Sequence, residues 1–199
     1  MNGGHRTGRH SRRRLRIFLS AVGLLAVAAG AQLAPSVLRD ALKVQKELDR
    51  IEAEGLRGRT GPVKSAVFTE AELNAWVARR IEEQNEDVLR ELVLKLFAGS
   101  RVEGKAFIDL SKADLPLGLK PRMNLFFSGR VIVRDGAAKV EFDRLFIEGQ
   151  QVPIVLLDLI IAASAALGKS DAGSIKDWVA LPYGLKDLRG EPGRVRLYY

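Results

Sequence analysis

Covalent and metal chemistry draw on a short list of side chains, and this sequence holds few of them. There is no cysteine, hence no thiol nucleophile, thiolate metal ligand, disulfide or lipid-modified cysteine. The two histidines, His5 and His10, both fall within residues 1–16. The rest of the chain therefore lacks the commonest general base and the commonest transition-metal ligand. No G-x-S-x-G elbow, S-x-x-K pair, G-x-x-x-x-G-K-[ST] phosphate loop or H-E-x-x-H helix occurs. What remains is carboxylate chemistry of the glycosidase kind, which needs two acidic groups about 5–9.5 Å apart across a cleft. No pair of acids in the sequence marks itself out for that role. The expectation is a non-enzyme with no catalytic residue, no metal site and no cofactor. A carboxylate-dependent hydrolase is the catalytic alternative.

The formal net charge of +8 suggests a nucleic-acid partner only until it is localised. Arg6, Arg9, Arg12, Arg13, Arg14 and Arg16 lie in the first 16 residues, where there is no Asp or Glu. Without those six, 26 basic residues face 24 acidic ones, so the remainder is nearly neutral and no nucleic acid is expected. The arginines instead abut an uncharged, largely apolar run, 17–34, interrupted near its end by Gln32. That length is near the lower limit of roughly 17–25 residues for a helical span. The basic flank, with Arg12, Arg13, Arg14 and Arg16 nearest the bilayer, predicts a cytoplasmic N-terminus and an exported remainder. Ala29-Gly30-Ala31 also fits signal-peptide cleavage, which would release the chain to the periplasm near Ala31. Ser11-Arg12-Arg13 is a fragment of a twin-arginine signal whose continuation fits poorly.

The segments that follow read as an α+β domain. In 34–51, Ala34, Val37, Ala41, Val44, Leu48 and Ile51 recur at spacings of three and four among charged residues. The pattern predicts an amphipathic helix, either a stalk that pairs as a homodimer through 34–51 or a helix lying on its own domain or on the outer membrane surface. Lys43 and Glu47 are one turn apart and suited to pairing. As a spacer, this helix would give a tethered domain roughly 30 Å of reach, which favours an anchor over a cleaved signal. Gly58, Gly61 and Pro62 mark a linker, and a short strand follows over 62–68. Thr69 with Glu72 is a capping box, opening a helix whose apolar face is Leu73, Trp76, Val77 and Ile81.

From Val88 the apolar period becomes two. Leu92, Leu94 and Leu96 share one face of a strand, and Val93 and Phe97 make the other apolar too. The next strand sets Val102, Ala106, Ile108 and Leu110 against a charged face that carries Phe107. A long hairpin turns at Asp135-Gly136, with arms of about twelve residues or roughly 40 Å. Its outgoing strand carries Phe127 on the regular apolar face and Phe126 on the other. On the return, Val140 and Phe142 keep one phase while Leu145 and Ile147 keep the other, which predicts a bulge near Asp143-Arg144. A helix over 151–167 is expected, with Gln151, Asp158, Ala162, Ala165 and Lys169 on a narrow polar or small side. Asp158 reads there as part of a solvated stripe, with a functional carboxylate in an apolar pocket as the alternative. A helical turn over 174–181 and a hairpin through Glu191-Pro192-Gly193 close the chain.

An anchored N-terminus, the capped Thr69-Glu70-Ala71-Glu72-Leu73-Asn74, two-faced apolar strands and Leu181-Pro182-Tyr183-Gly184-Leu185-Lys186-Asp187-Leu188 before Gly193-Arg194-Val195 form a combined pattern. Over 61–199 it resembles the small membrane-anchored bacterial members of the tubular lipid-binding superfamily. The resemblance implies a long curved antiparallel sheet wrapped around one or two helices and enclosing an apolar groove for acyl chains. Trp76, Phe97, Phe107, Phe126, Phe127 and Phe142 are the candidate groove contacts, because strands apolar on both faces must be covered by helices or by ligand.

The sequence thus divides into a basic cytoplasmic tail (1–16), an anchor (17–34), a stalk and linker (35–60) and an extracytoplasmic α+β domain (61–199). The expected role is binding or shuttling lipid in the envelope of a bacterium, from the cytoplasmic membrane. A non-catalytic structural or assembly component of an envelope complex is the alternative.

Overall fold

Pro35 occupies the first turn of helix α1 (Pro35–Leu56), where its missing N–H costs nothing and its fixed φ suits the helix. The computed structural model describes residues 33–57, 62–84, 88–112, 120–167 and 173–199. The basic tail, with Arg12, Arg13, Arg14 and Arg16, lies outside the described residues, as do the anchor up to Gln32 and the cleavage site at Ala31. Among the described residues no helix is long and apolar enough to cross a membrane.

The three-and-four spacing of α1 buries Ala41, Val44, Leu48 and Ile51. That face lies on the chain itself: Val44, Leu48 and Ile51 belong to the same core cluster as the strands that follow. The helix is therefore part of the domain rather than a stalk set before it, and the domain extends from about residue 35 instead of 61. A homodimer through 34–51 would have to use other faces of α1, where Leu38 and Leu42 are exposed. Lys43 pairs with Glu72 of the next helix, not with Glu47, which bonds Arg50 instead.

Strand β1 (Ser65–Thr69) runs directly into α2 (Glu70–Gln84) through the predicted capping box. Glu72 N–H donates to Thr69 Oγ1 at 3.2 Å, and Thr69 N–H donates to Glu72 Oε2 at 2.8 Å. Asn74 then pins α2 to β2 (Leu89–Leu96), donating to the Leu94 carbonyl at 2.9 Å and accepting its N–H at 2.8 Å. In this way a side chain satisfies backbone groups on the free edge of a sheet.

That sheet runs β2-β3-β4-β5-β6, with β3 (Arg101–Asp109), β4 (Arg122–Arg134), β5 (Ala137–Ile147) and β6 (Gln150–Val152). All its pairings are antiparallel. Ser128 faces Arg144 and Gly129 faces Phe142, so Asp143 is the extra residue of a bulge. The bulge lies where the phase of the apolar residues changes in the sequence. It turns both Val140 and Leu145 toward the interior although they are five residues apart.

Two local expectations are corrected. Gln151 and Val152 are not the start of a helix, because they pair with Phe146 and Leu145. Helix α3 begins later, at Val155, and runs to Leu167. Residues 174–181 form a turn and strand β7 (Val179–Ala180), which pairs with Ala137 and Ala138 at the start of β5.

The smaller sheet, β1-β9-β8, closes the other side with β8 (Asp187–Glu191) and β9 (Arg194–Tyr198), the last hairpin turning through Pro192 and Gly193. A short hydrogen-bonded relay fastens it to β2. Gly193 N–H donates to the Leu96 carbonyl (3.0 Å), Leu96 N–H to Glu70 Oε2 (2.6 Å), and Glu70 N–H to the Gly193 carbonyl (2.8 Å). Gly190 comes so near the turn after β2 that a Cβ there would lie 2.8 Å from Ser100 Cα, while its N–H donates to Ser100 Oγ.

Candidate functional site: an apolar cavity

Between the two sheets and under α1 and α2 lies a cavity of about 200 Å³ with almost wholly apolar walls. A single water needs only about 10–15 Å³ measured the same way, and dry apolar cavities of this order take up nonpolar ligands. Val44 and Leu48 of α1 and Leu73, Trp76 and Val77 of α2 form its helical side. Leu94, Val102, Val131 and Val140 come from the large sheet, and Val195 and Leu197 from the small one. The segment 181–185 supplies Leu181, Pro182, Tyr183 and Leu185.

Each aromatic wall residue has a stated support. Phe127 lies over Gly104, its neighbour on β3, where a Cβ would come within 2.1 Å of the ring's Cζ. A residue without a side chain is what lets the ring lie flat against the strand. Phe142 meets Phe127 edge to face, with ring centroids 5.6 Å apart. The bulge at Asp143 brings Phe142 opposite Gly129, and a Cβ on that glycine would lie 2.5 Å from the Glu141 carbonyl oxygen. Trp76 Nε1–H donates to Gln45 Oε1 on α1 at 2.8 Å, which fixes the indole with its carbon face to the cavity wall.

Tyr183 is one of three polar residues in the lining, with Ser100 and Arg101. It sits at φ +59° beside Gly184 at φ +71°, a left-handed pair that non-glycine residues seldom adopt. Gln45 also hydrogen-bonds its side chain. Burial pushes the Tyr183 phenol up from its ordinary value, while the charge of Arg80 and the Gln45 bond oppose the rise.

Of the six aromatic residues predicted from sequence, Trp76, Phe127 and Phe142 line this cavity and Phe97, Phe107 and Phe126 do not. Phe97 is held between Arg101 (4.6 Å from the ring centroid) and Lys95 (5.8 Å), a cation–π arrangement at the surface. Phe107 packs on the core from the outer side of β3, opposite Asn124. Phe126 is 42% exposed on the outer face. Gln45, Gly104, Tyr183 and Arg80 were not singled out in the sequence. Arg80 follows Trp76 by four residues on α2 but is not part of the cavity lining.

Asp158 is neither a bare surface acid nor a member of the cavity wall. Its Oδ1 accepts the Ser174 hydroxyl (3.0 Å) and the Ile175 N–H (2.9 Å), tying α3 to the segment before β7. Among the described residues no cluster of three or more His, Asp or Glu side chains is placed to hold a metal ion. Compared with protein-family models, curated proteins and solved structures, the chain matches none.

Proposed function

We propose that this chain binds or shuttles acyl chains of lipid in a bacterial envelope, as a single-pass protein of the cytoplasmic membrane whose α+β domain is extracytoplasmic. The observation that carries this reading is the apolar cavity of about 200 Å³ beneath α1 and α2. Each methylene buried there contributes about 0.8 kcal/mol, enough for a chain of moderate length to bind without any catalytic group. The α+β architecture with a long antiparallel sheet supports the tubular lipid-binding reading. The arginine-flanked apolar run 17–34 supports the membrane assignment. N-terminal sequencing of the exported protein checks it, since a start at Gln32 would mean cleavage rather than anchoring.

Native mass spectrometry of the full-length protein after detergent removal tests the lipid reading. Retained mass increments of one acyl lipid are expected, and repeated recovery of bare protein would count against it.

A second reading, an assembly component of an envelope complex, draws on one observation. Val93, Lys105, Phe126 and Phe146 stand in register across β2 to β5 on one face, with Val93 and Phe126 exposed. A crosslinker placed at Phe126 that captures the same envelope protein in intact cells would favour it.

A further inference from the structure

The apolar residues that α1 exposes are gathered at its start. Leu38 and Leu42 are 41% and 46% exposed, beside the buried stripe that begins at Ala41. Along the same line of the helix, at spacings of three and four, follow Gln45, Asp49 and Glu52. The bonds from Lys43 to Glu72 and from Trp76 to Gln45 set α2 alongside α1 from Lys43 onward, beyond the two leucines.

Charge changes along α1 in the same sense. Residues 33–46 carry Arg39, Lys43 and Lys46 against Asp40, whereas 47–56 carry Glu47, Asp49, Glu52 and Glu54 against Arg50. Glu72 of α2 takes Lys43, and Lys64 takes Glu54. With these partners counted, the start of the helix is still net positive and the remainder net negative.

Ala34 joins this helix to the apolar run 17–34 with no linker between them. Its φ of −54° and ψ of 143° are extended, as the ring of Pro35 requires of the residue before it. A helical span ending at Ala34 therefore cannot continue straight into α1, and the chain changes direction where it leaves the bilayer. At about 1.5 Å per residue, Leu38 and Leu42 lie only about 6 and 12 Å along the helix from that bend.

We infer that the start of α1 docks on the outer surface of the membrane that anchors the chain, with Leu38 and Leu42 dipping to the acyl boundary and Arg39, Lys43 and Lys46 at anionic phospholipid phosphates. This rests on the single-pass reading above and is independent of acyl binding in the cavity. The long basic side chains can lie along the apolar surface and keep their charges among the phosphates. The acids from Glu47 onward are repelled by the same surface, so the helix climbs away from it toward the domain. Two leucines are far too few for a specific protein interface, which buries roughly 800 Å² on each partner. They suffice for a tethered surface, because docking is then intramolecular.

The test uses the absence of native cysteine. Leu38→Cys, Leu42→Cys and Asp49→Cys, all at exposed positions, each carry one nitrobenzoxadiazole label on the full-length protein. The proteins are reconstituted in vesicles of phosphatidylcholine and phosphatidylglycerol, with and without a lipid bearing a doxyl quencher near the top of its acyl chain. Interfacial helices bury their apolar face about 5–10 Å deep, so roughly half the emission is expected to be lost at both 38 and 42, with little change at 49. Quenching at 38 that disappears by 42 would describe an upright stalk and overturn the docking. Equal quenching at all three positions, or none at 38 and 42, would also overturn it. Oxidation that joins two Leu42→Cys molecules, with no quenching at 42, would assign this face to a second copy instead. An alkaline wash separates the failures: full-length protein stripped from the vesicles would remove the single-pass reading and the docking together, whereas retained protein with unquenched labels removes the docking alone.

Discussion

The ring of Phe127 lies across Gly104 so closely that one methyl group on the glycine would stand 2.1 Å from its Cζ. The two residues are partners across β3 and β4, and the absent side chain sets where the ring stops and the cavity begins. Gly104→Ala should therefore force Phe127 toward Phe142 and into the cavity. Overpacking of this kind costs about 1–3 kcal/mol. Urea denaturation should show that loss, and acyl-probe binding should weaken beyond it. Unchanged probe affinity would mean that the ring does not bound the binding space.

The helix α1 belongs to the core, which places the domain boundary before Pro35. A chain beginning at Leu33 should unfold cooperatively, whereas one beginning at Gly61 loses Val44, Leu48 and Ile51 from the interior. Burial of each such side chain contributes about 1.5–3 kcal/mol, and the sum is comparable to the total stability of a small domain. Far-UV circular dichroism through a thermal scan checks it, the shorter chain being expected to show no cooperative transition.

The capping box should make stability depend on pH. Burial pushes the Glu72 carboxyl up, but Lys43 and the two Thr69 bonds outweigh it and hold the group below its ordinary value of 4.5. A carboxyl with a lowered folded value binds fewer protons folded than unfolded in the range between the two values. Its contribution is thus full above about pH 4.5 and is lost as the pH falls through the folded value. Glu72→Gln should flatten that part of the stability profile. Thr69→Ala should cost about 1 kcal/mol at neutral pH. Denaturation midpoints measured from neutral to acid pH provide the comparison.

Asp158 should act through its hydrogen bonds. Asp158→Ala leaves the Ser174 hydroxyl and the Ile175 N–H without their acceptor, at a cost of about 1–3 kcal/mol. Amide hydrogen exchange at Ile175 should accelerate more than exchange in β3.

The parts of the fold that were legible in the sequence are those fixed by neighbours along the chain. The Thr69–Glu72 box names its own partners, and the phase change between Phe142 and Leu145 can be accommodated in a strand only by an extra residue. The stripe of α1 told which side is buried but not against what, since a dimer seam and an intramolecular contact use the same spacing. The local pattern assigns residues 151 and 152 to a helix because Pro153 suits a first turn and the following run is apolar. Their pairing with Phe146 and Leu145 is a tertiary preference that local pattern does not reveal. The cavity was hidden for a similar reason: strands around a space and strands around a filled core alternate identically. Gly104 marks the difference once its partner across the sheet, Phe127, is known.

The most direct test of the account fills the space and asks whether binding is lost. Val131 lines the cavity wall on β4, and Val131→Trp would occupy much of it. Isothermal titration of full-length wild type and variant with the same fatty acid is the measurement, with circular dichroism to confirm that the variant is folded. One acyl chain bound per wild-type molecule is expected, with at least a tenfold loss of affinity, about 1.4 kcal/mol, in the filled variant. No binding to the wild type, or equal binding to a folded Val131→Trp protein, would contradict it.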